Sequence, residues 1–480
     1  MPFSFDNTYA RLPEAFFARV NPTPVKEPRW IALNHDLARL LGIDPTQLES
    51  TEGLAYLSGN AVPPGAEPIA TAYSGHQFGG FSPRLGDGRA ILLGEVIGID
   101  GVRRDIQLKG SGPTPFSRRG DGRSALGPVM REYLVSEAMA ALGIPTTRAL
   151  AAIWSGDTVF RETAEPGGVF TRVGQSHLRI GTVEYFSSRG ELEHLAILVR
   201  YAVERHYPES AGKENLALAL LEGVIERQAA LVARWMGLGF IHGVMNTDNM
   251  SLSGETIDYG PCAFMDDYHP AQKFSFIDEQ GRYAYANQPG IAHWNLTRLA
   301  EALLPLLAEK EEKALELAQD ALGRFPELFQ AAWREVFAAK LGVANLEDGL
   351  VESLLDEMAK QAVDFTLVFR RLTEVAAGGD ESEFLALFPR PEPIHKWLGL
   401  WRKSLGDHQD KERMRRANPI YIPRNHRIEE VIQAGRLGDF EPFNRLHRVL
   451  SRPCEEQEES AEYERPPRSH EVVRATFCGT

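Results

Sequence analysis

Between Thr71 and Val173 the apolar residues come in short runs separated by glycine turns, whereas from about Glu191 onward they recur at helical spacing. That change of period restricts the fold more than any other feature. Glycines crowd the stretch from Gly75 to Gly88. Ala90 to Ile97 and Arg104 to Leu108 then read as strands joined by the turn Gly98-Ile99-Asp100-Gly101. Pro128 to Leu142 reads as one helix, opened by Pro128 and stopped by Gly143 and Pro145. Ala149 to Trp154, Thr158 to Thr163 and Gly168 to Val173 read as further strands. Beyond them lie amphipathic stripes, such as Leu221, Val224, Ile225, Leu231, Val232 and Trp235, and then Leu296, Leu299, Ala300, Leu303 and Leu304. The expected class is α+β and bilobal, with a β-rich N-lobe, a helical C-lobe and a cleft between them. The expected division is an N-terminal extension (1–70), the N-lobe (71–190), the C-lobe (191–400), and a C-terminal extension with an acidic, weakly apolar tail (401–480).

Composition narrows the function. A formal net charge of −14 excludes a broad nucleic-acid-binding surface, which needs clustered Lys and Arg, but leaves room for one nucleotide. The three cysteines, Cys262, Cys454 and Cys478, are too few for a disulfide scaffold and suit a reducing cytoplasm. No basic start followed by an apolar core marks the N-terminus, and no uncharged apolar run reaches the roughly 18 residues of a membrane span. The expectation is a cytoplasmic protein without nucleic-acid or membrane partners, and a monomer, since nothing suggests a coiled coil.

Five features then fall in a telling order. Leu85-Gly86-Asp87-Gly88-Arg89 is a glycine turn leading into a strand, where backbone N–H groups can approach phosphate; alone, such a turn is more often a plain hairpin. Lys109 ends a strand, and Glu132 lies on the following helix, with Glu137 as its rival. In a protein-kinase-like lobe that lysine contacts nucleotide phosphates and the helix glutamate holds it. After a long amphipathic helix comes His242-Gly243-Val244-Met245-Asn246-Thr247-Asp248-Asn249, which matches the kinase catalytic loop at its histidine and asparagine. Val244 stands where a kinase has its base, and Asp248 is the obvious substitute. Finally Asp258-Tyr259-Gly260 mirrors the triplet whose aspartate chelates a phosphate-bridging metal. The oxygen ligands of Asn249 and Asp258 suit Mg²⁺ or Mn²⁺, and His242 reads as a packing residue.

Longer motifs carry a family resemblance. Tyr73-Ser74-Gly75-His76-Gln77-Phe78-Gly79, Gln107-Leu108-Lys109-Gly110-Ser111-Gly112, Ser117-Arg118-Arg119-Gly120-Asp121-Gly122-Arg123 and Asn418-Pro419-Ile420-Tyr421-Ile422-Pro423-Arg424-Asn425-His426 resemble the selenoprotein O family, over most of the chain. The resemblance implies a pseudokinase that binds ATP inverted and transfers AMP to protein hydroxyls. It implies that Gly86, Gly88, Arg89, Lys109, Asp121, Gly122, Arg172 and Arg179 line the nucleotide, that Glu132 holds Lys109, that Asp248 is the base, and that Asn249 and Asp258 bind metal. Arg172 and Arg179, with planar forks suited to phosphate, would take the outer phosphates. UMP transfer from UTP stays open, as do two rivals: a conventional kinase using the γ-phosphate, and a non-catalytic nucleotide-binding scaffold. Cys478 matches the family's C-terminal selenocysteine or cysteine position, which implies a redox latch; Cys262 and Cys454 both remain as partners.

Overall fold

The β-forming segments assemble into one antiparallel sheet. In the computed structural model, which describes residues 3–406 and 410–477, the strands are β1 (Phe17–Arg19), β2 (Arg29–Leu33), β3 (Ile69–Thr71), β6 (Ala90–Ile97), β7 (Arg103–Lys109), β8 (Ser124–Ala125), β9 (Arg148–Phe160) and β10 (Ala164–Gly174). A separate hairpin pairs β4 (Gly75–Gln77) with β5 (Gly80–Ser82). The large sheet runs in the order β1-β3-β6-β7-β10-β9-β2, with β8 added beside β10. Residues 17–71 thus supply three of its strands. Where the sequence suggests two strands and a break near residue 156, β9 runs unbroken. Gly156 (φ +74°) is instead a point of close approach, because a Cβ there would lie 2.7 Å from the backbone nitrogen of Glu27.

Register sets the chemistry of one sheet face. Arg172 on β10 lies opposite Gln107 on β7, and Phe170 lies opposite Lys109. Side chains two apart on a strand share a face, so Gln107, Lys109 and Arg172 project together.

The helix Leu126–Ala141 crosses this sheet and is buried along nearly its whole length. Met130, Tyr133 and Leu134 join a core with Phe170, Ala149 and Ala152. Its back is covered by the helices Asn425–Arg436 and Glu441–Leu450. The Tyr133 and Phe443 rings lie 5.4 Å apart, and a Cβ at Gly435 would come within 2.5 Å of Met130. Burial of each such large apolar side chain contributes about 1.5–3 kcal/mol, so the helix carrying Glu132 is held firmly from both sides.

From Leu192 onward the regular elements among the described residues are helices, apart from one short pair, β11 (Phe240–Ile241) with β12 (Ala263–Phe264). That pair brackets the loop bearing Asp248, Asn249 and Asp258. Backbone bonds dock the loop onto the sheet region: Ile180 N–H donates to Met250 O (2.9 Å), Leu252 N–H to Leu178 O (2.9 Å) and Thr147 N–H to Thr256 O (3.0 Å). Among the described residues no helix is long and apolar enough to cross a membrane.

Glu255 sits at this joint, accepting from the Gln175 backbone N–H and the Ser253 hydroxyl, both at 2.9 Å. Burial pushes its carboxyl up to about 7 from an ordinary 4.5, the two hydrogen bonds offsetting only part of the rise. The folded state therefore binds the extra proton between pH 4.5 and 7, and stability falls as pH rises through that window. Glu255→Gln should leave the melting midpoint near the parent's at pH 5 and raise stability by about 2 kcal/mol at pH 8. Thermal unfolding at the two pH values checks this; an equal change at both would assign the effect to packing.

Candidate active site

A cavity of about 710 Å³ lies between the sheet face and the docked loop. Seven Lys and Arg side chains and four Asp side chains line it, a local excess of positive charge in an acidic protein. Every residue that the sequence and its family resemblance pointed to lines this cavity, except Glu132, which stands directly behind it.

Lys109 is the hub. Its Nζ donates to Glu132 Oε2 at 2.5 Å and to Asp258 Oδ1 at 2.6 Å. Glu137 is excluded as partner, since it pairs with Arg148 (2.7 Å) and accepts from Asn34 (2.7 Å). Both glutamates are buried, so neither faces water. Glu132 Oε1 also accepts from Arg172 at 3.1 Å, and Arg172 lies 3.9 Å from Asp258. Although burial raises the carboxyl of Asp258, the Lys109, Arg172 and Arg89 charges outweigh it and hold Asp258 far below the usual carboxylate range. Asp258 also has φ +69°, a left-handed backbone that a non-glycine residue keeps only where its surroundings enforce it.

A chain of polar contacts links the two buried arginines. Gln107 Oε1 accepts from Arg172 (3.0 and 3.3 Å), and Gln107 Nε2 donates to Asp87 Oδ2 (3.3 Å). Asp87 is anchored by the Thr71 backbone N–H (3.0 Å) and hydroxyl (2.6 Å), and its other oxygen lies 4.0 Å from Arg179. Arg179 then donates to the backbone oxygen of Asp248 (2.6 Å) and lies over the Tyr73 ring (4.7 Å). Arg172 and Arg179 are 2% and 4% exposed, which excludes a surface salt-bridge role.

Asp248 accepts from Gln77 Nε2 at 3.1 Å through Oδ2, while its buried Oδ1 has no hydrogen-bond partner among the described residues. Burial pushes its carboxyl up to about 6, against the pull of Arg179. Asn249 donates its amide to Val244 O at 3.0 Å, which turns the side-chain oxygen the other way. Among the described residues no three His, Cys, Asp or Glu side chains group to hold a metal by themselves. Two oxygen donors beside a phosphate-sized cavity fit a Mg²⁺-type ion that completes its shell with substrate phosphates and water. His242 is fully buried and bonds Ile257 O at 3.0 Å, a packing residue as expected.

The glycine turn lies against Phe116: a Cβ at Gly86 (φ +69°) would overlap its ring, and one at Gly88 would lie 3.0 Å from its backbone oxygen. Asp121, on the mouth of the cavity, pairs with Arg161 at 2.9 Å, and Gly122 (φ +66°) packs on Gly112. Sequence reasoning missed Asp87, Gln107, Arg118, Asn246 and Arg161 as lining or supporting groups. Gln107 was findable, two residues before Lys109 on the same strand face. Arg161 gave no signal, because it depends on how the β9–β10 hairpin leans over the cavity. Cys478 lies outside the described residues. Cys262 is fully buried, with its thiol pushed up to about 12 by burial, and Cys454 is half-buried; both are free.

The sequence was also compared with known proteins. A family model described as "Protein adenylyltransferase SelO" matches residues 1–451. Proteins named "Protein nucleotidyltransferase YdiU" are similar over the full length. Those of Bradyrhizobium diazoefficiens and Methylorubrum extorquens are each 58% identical, over 487 and 494 residues, covering 100% of this chain and 99% of the relative. That of Rhizobium rhizogenes is 58% identical over 489 residues, covering 100% of this chain and 97% of the relative.

Proposed function

Given that the chain belongs to the SelO family and is a nucleotidyltransferase, we propose that it transfers AMP from ATP to Ser, Thr or Tyr hydroxyls of proteins, with a divalent metal and with ATP bound inverted in a kinase-like, bilobal scaffold. The observation that carries this reading is the placement of Lys109, Arg172 and Arg179 in one cavity with Asp258 and Asp248, Glu132 holding Lys109. Three cations suit the β- and γ-phosphates, which leaves the α-phosphate toward Asp248. Gly86, Gly88, Arg89, Asp121 and Gly122 complete the nucleotide site.

In this reading the acceptor oxygen attacks the α-phosphorus in line. The new P–O bond forms as the bond to the β-phosphate oxygen breaks. Pyrophosphate leaves onto Lys109, Arg172 and Arg179, and the hydroxyl proton passes to Asp248. Asn249 and Asp258 would hold Mg²⁺ or Mn²⁺, which neutralises phosphate charge when bound. The family division (extension to 70, N-lobe to 190, C-lobe to 400, then extension and tail), the monomeric state and the cytoplasmic setting belong to the same reading. So does a redox role for Cys478.

The test uses ATP labelled at the α- or the γ-phosphate, Mg²⁺ or Mn²⁺, and dialysed cell lysate as acceptor pool. Metal-dependent α-label on protein is expected. Label from the γ-position alone would make the protein a kinase, and label from neither would leave a nucleotide-binding scaffold. Substituting α-labelled UTP in the same assay decides between AMP and UMP transfer.

A further inference from the structure

The β4–β5 hairpin touches Asp248 through the Gln77 side chain, and three successive residues of it are tied to the loop. His76 N–H donates to the Thr247 hydroxyl (2.7 Å), Gln77 Nε2 to Asp248 Oδ2 (3.1 Å) and Phe78 N–H to Asn246 Oδ1 (3.1 Å). The imidazole of His76 and the hydroxyl of Thr247 each lie 2.5 Å from a Glu184 carboxylate oxygen, and the Tyr283 hydroxyl donates to Asn246 Oδ1 (2.6 Å). Gly75 brings the hairpin this close, because a Cβ there would stand 2.6 Å from Asp248 Oδ1.

The turn itself is unusual. With Gln77 paired to Gly80, its two central residues are Phe78 (φ +52°) and Gly79 (φ +87°). Such turns favour Asn-Gly, because the first position must also adopt a left-handed backbone. An aromatic residue is strained there, and Phe78 still leaves 37% of its surface exposed on the lining of the cavity. One face of the ring packs on Tyr283, with centroids 5.2 Å apart, and the rest stays open to the cavity.

We propose that this hairpin is the acceptor-side wall of the active site: Gln77 is a positioning residue that orients Asp248, and Phe78 packs against the polypeptide bearing the acceptor hydroxyl. The proposal rests on the AMP-transfer reading and adds to it the side from which protein approaches. Polypeptide is the fitting occupant because the acceptor hydroxyl must reach Asp248, the carboxylate that Gln77 holds at 3.1 Å, which brings the chain bearing it beside the neighbouring Phe78 on the cavity lining.

Two variants test it, with α-labelled ATP, Mn²⁺ and dialysed lysate as acceptor, and ATP affinity measured separately by calorimetry. Gln77→Leu should keep ATP affinity within about twofold and lower the maximal rate about tenfold; Gln77→Glu, which sets a carboxylate beside Asp248, should lower it further. Phe78→Asn, which suits the left-handed turn position, should leave the KM for ATP unchanged and raise the apparent KM for acceptor protein about fivefold or more. Full transfer rate in Gln77→Leu, or ATP affinity falling in step with rate, overturns the positioning role. A folded Phe78→Asn with unchanged acceptor KM overturns the docking role. A parent enzyme that yields no α-label removes the underlying AMP reading instead, so the two failures are distinct.

Discussion

Asp258→Ala should abolish transfer, with a loss of about 10³-fold or more, and should invert how ATP binding responds to metal. In the parent, Asp258 faces Lys109 at 2.6 Å and Arg172 at 3.9 Å, so an arriving triphosphate competes with a carboxylate for the same cations. A divalent ion resolves that competition by letting carboxylate and phosphate share positive charge. Removing the carboxylate frees the cations, so metal-free ATP should bind several-fold more tightly to the variant than to the parent. In Mg²⁺ or Mn²⁺ the order should reverse. Calorimetric titration of ATP in chelator and in metal, for both proteins, checks the crossing. Weaker binding to the variant under both conditions would mean that Asp258 supports the fold of the cavity and not the metal. Glu132, 2.5 Å from Lys109 in the parent, would still partner it in the variant, so the lysine would not be stranded and a loss of folding is not the expected explanation for inactivity.

The parts of this site legible in the sequence share a property: local pattern fixed them. Lys109 ends a strand whose apolar run announces it, and Asp248, Asn249 and Asp258 lie in one short loop, so spacing alone brings them together. Choosing Glu132 over Glu137 was harder. The two lie five residues apart on one helix, and what separates them is the docking of the helix, which sends Glu137 to Arg148 and Asn34. Arg172 and Arg179 were invisible as site residues without the family motifs, because a lone arginine on a strand or before a helix has no period to read. Their burial follows from the register of β10 on β7 and from the close approach of the 250–256 loop. The mixed α and β class was legible for the same reason as the loop. The change from strand to helical spacing near residue 190 is local, whereas the long β9, with Gly156 meeting Glu27, depends on contact across some 130 residues of chain.

Asp248→Asn separates the base from everything around it. The substitution keeps size and the backbone oxygen that accepts from Arg179 at 2.6 Å, so Arg179 stays in place. An amide can still meet Gln77 through its oxygen, so the hairpin contact at 3.1 Å need not break. What is lost is the ability to take a proton, and general-base catalysis of this kind contributes about 10²–10⁴-fold. The expected result is a fall in the transfer rate of that size with ATP affinity within about twofold of the parent. Single-turnover transfer of α-label beside calorimetric ATP binding gives both numbers. If affinity fell together with rate, and fell only when metal was present, Asp248 would be acting with Asn249 and Asp258 on the ion. Its half-satisfied carboxylate, with Oδ1 buried and unpartnered among the described residues, would then be a ligand position. A rate loss without an affinity loss assigns the proton to Asp248, and with it the direction from which the acceptor must arrive.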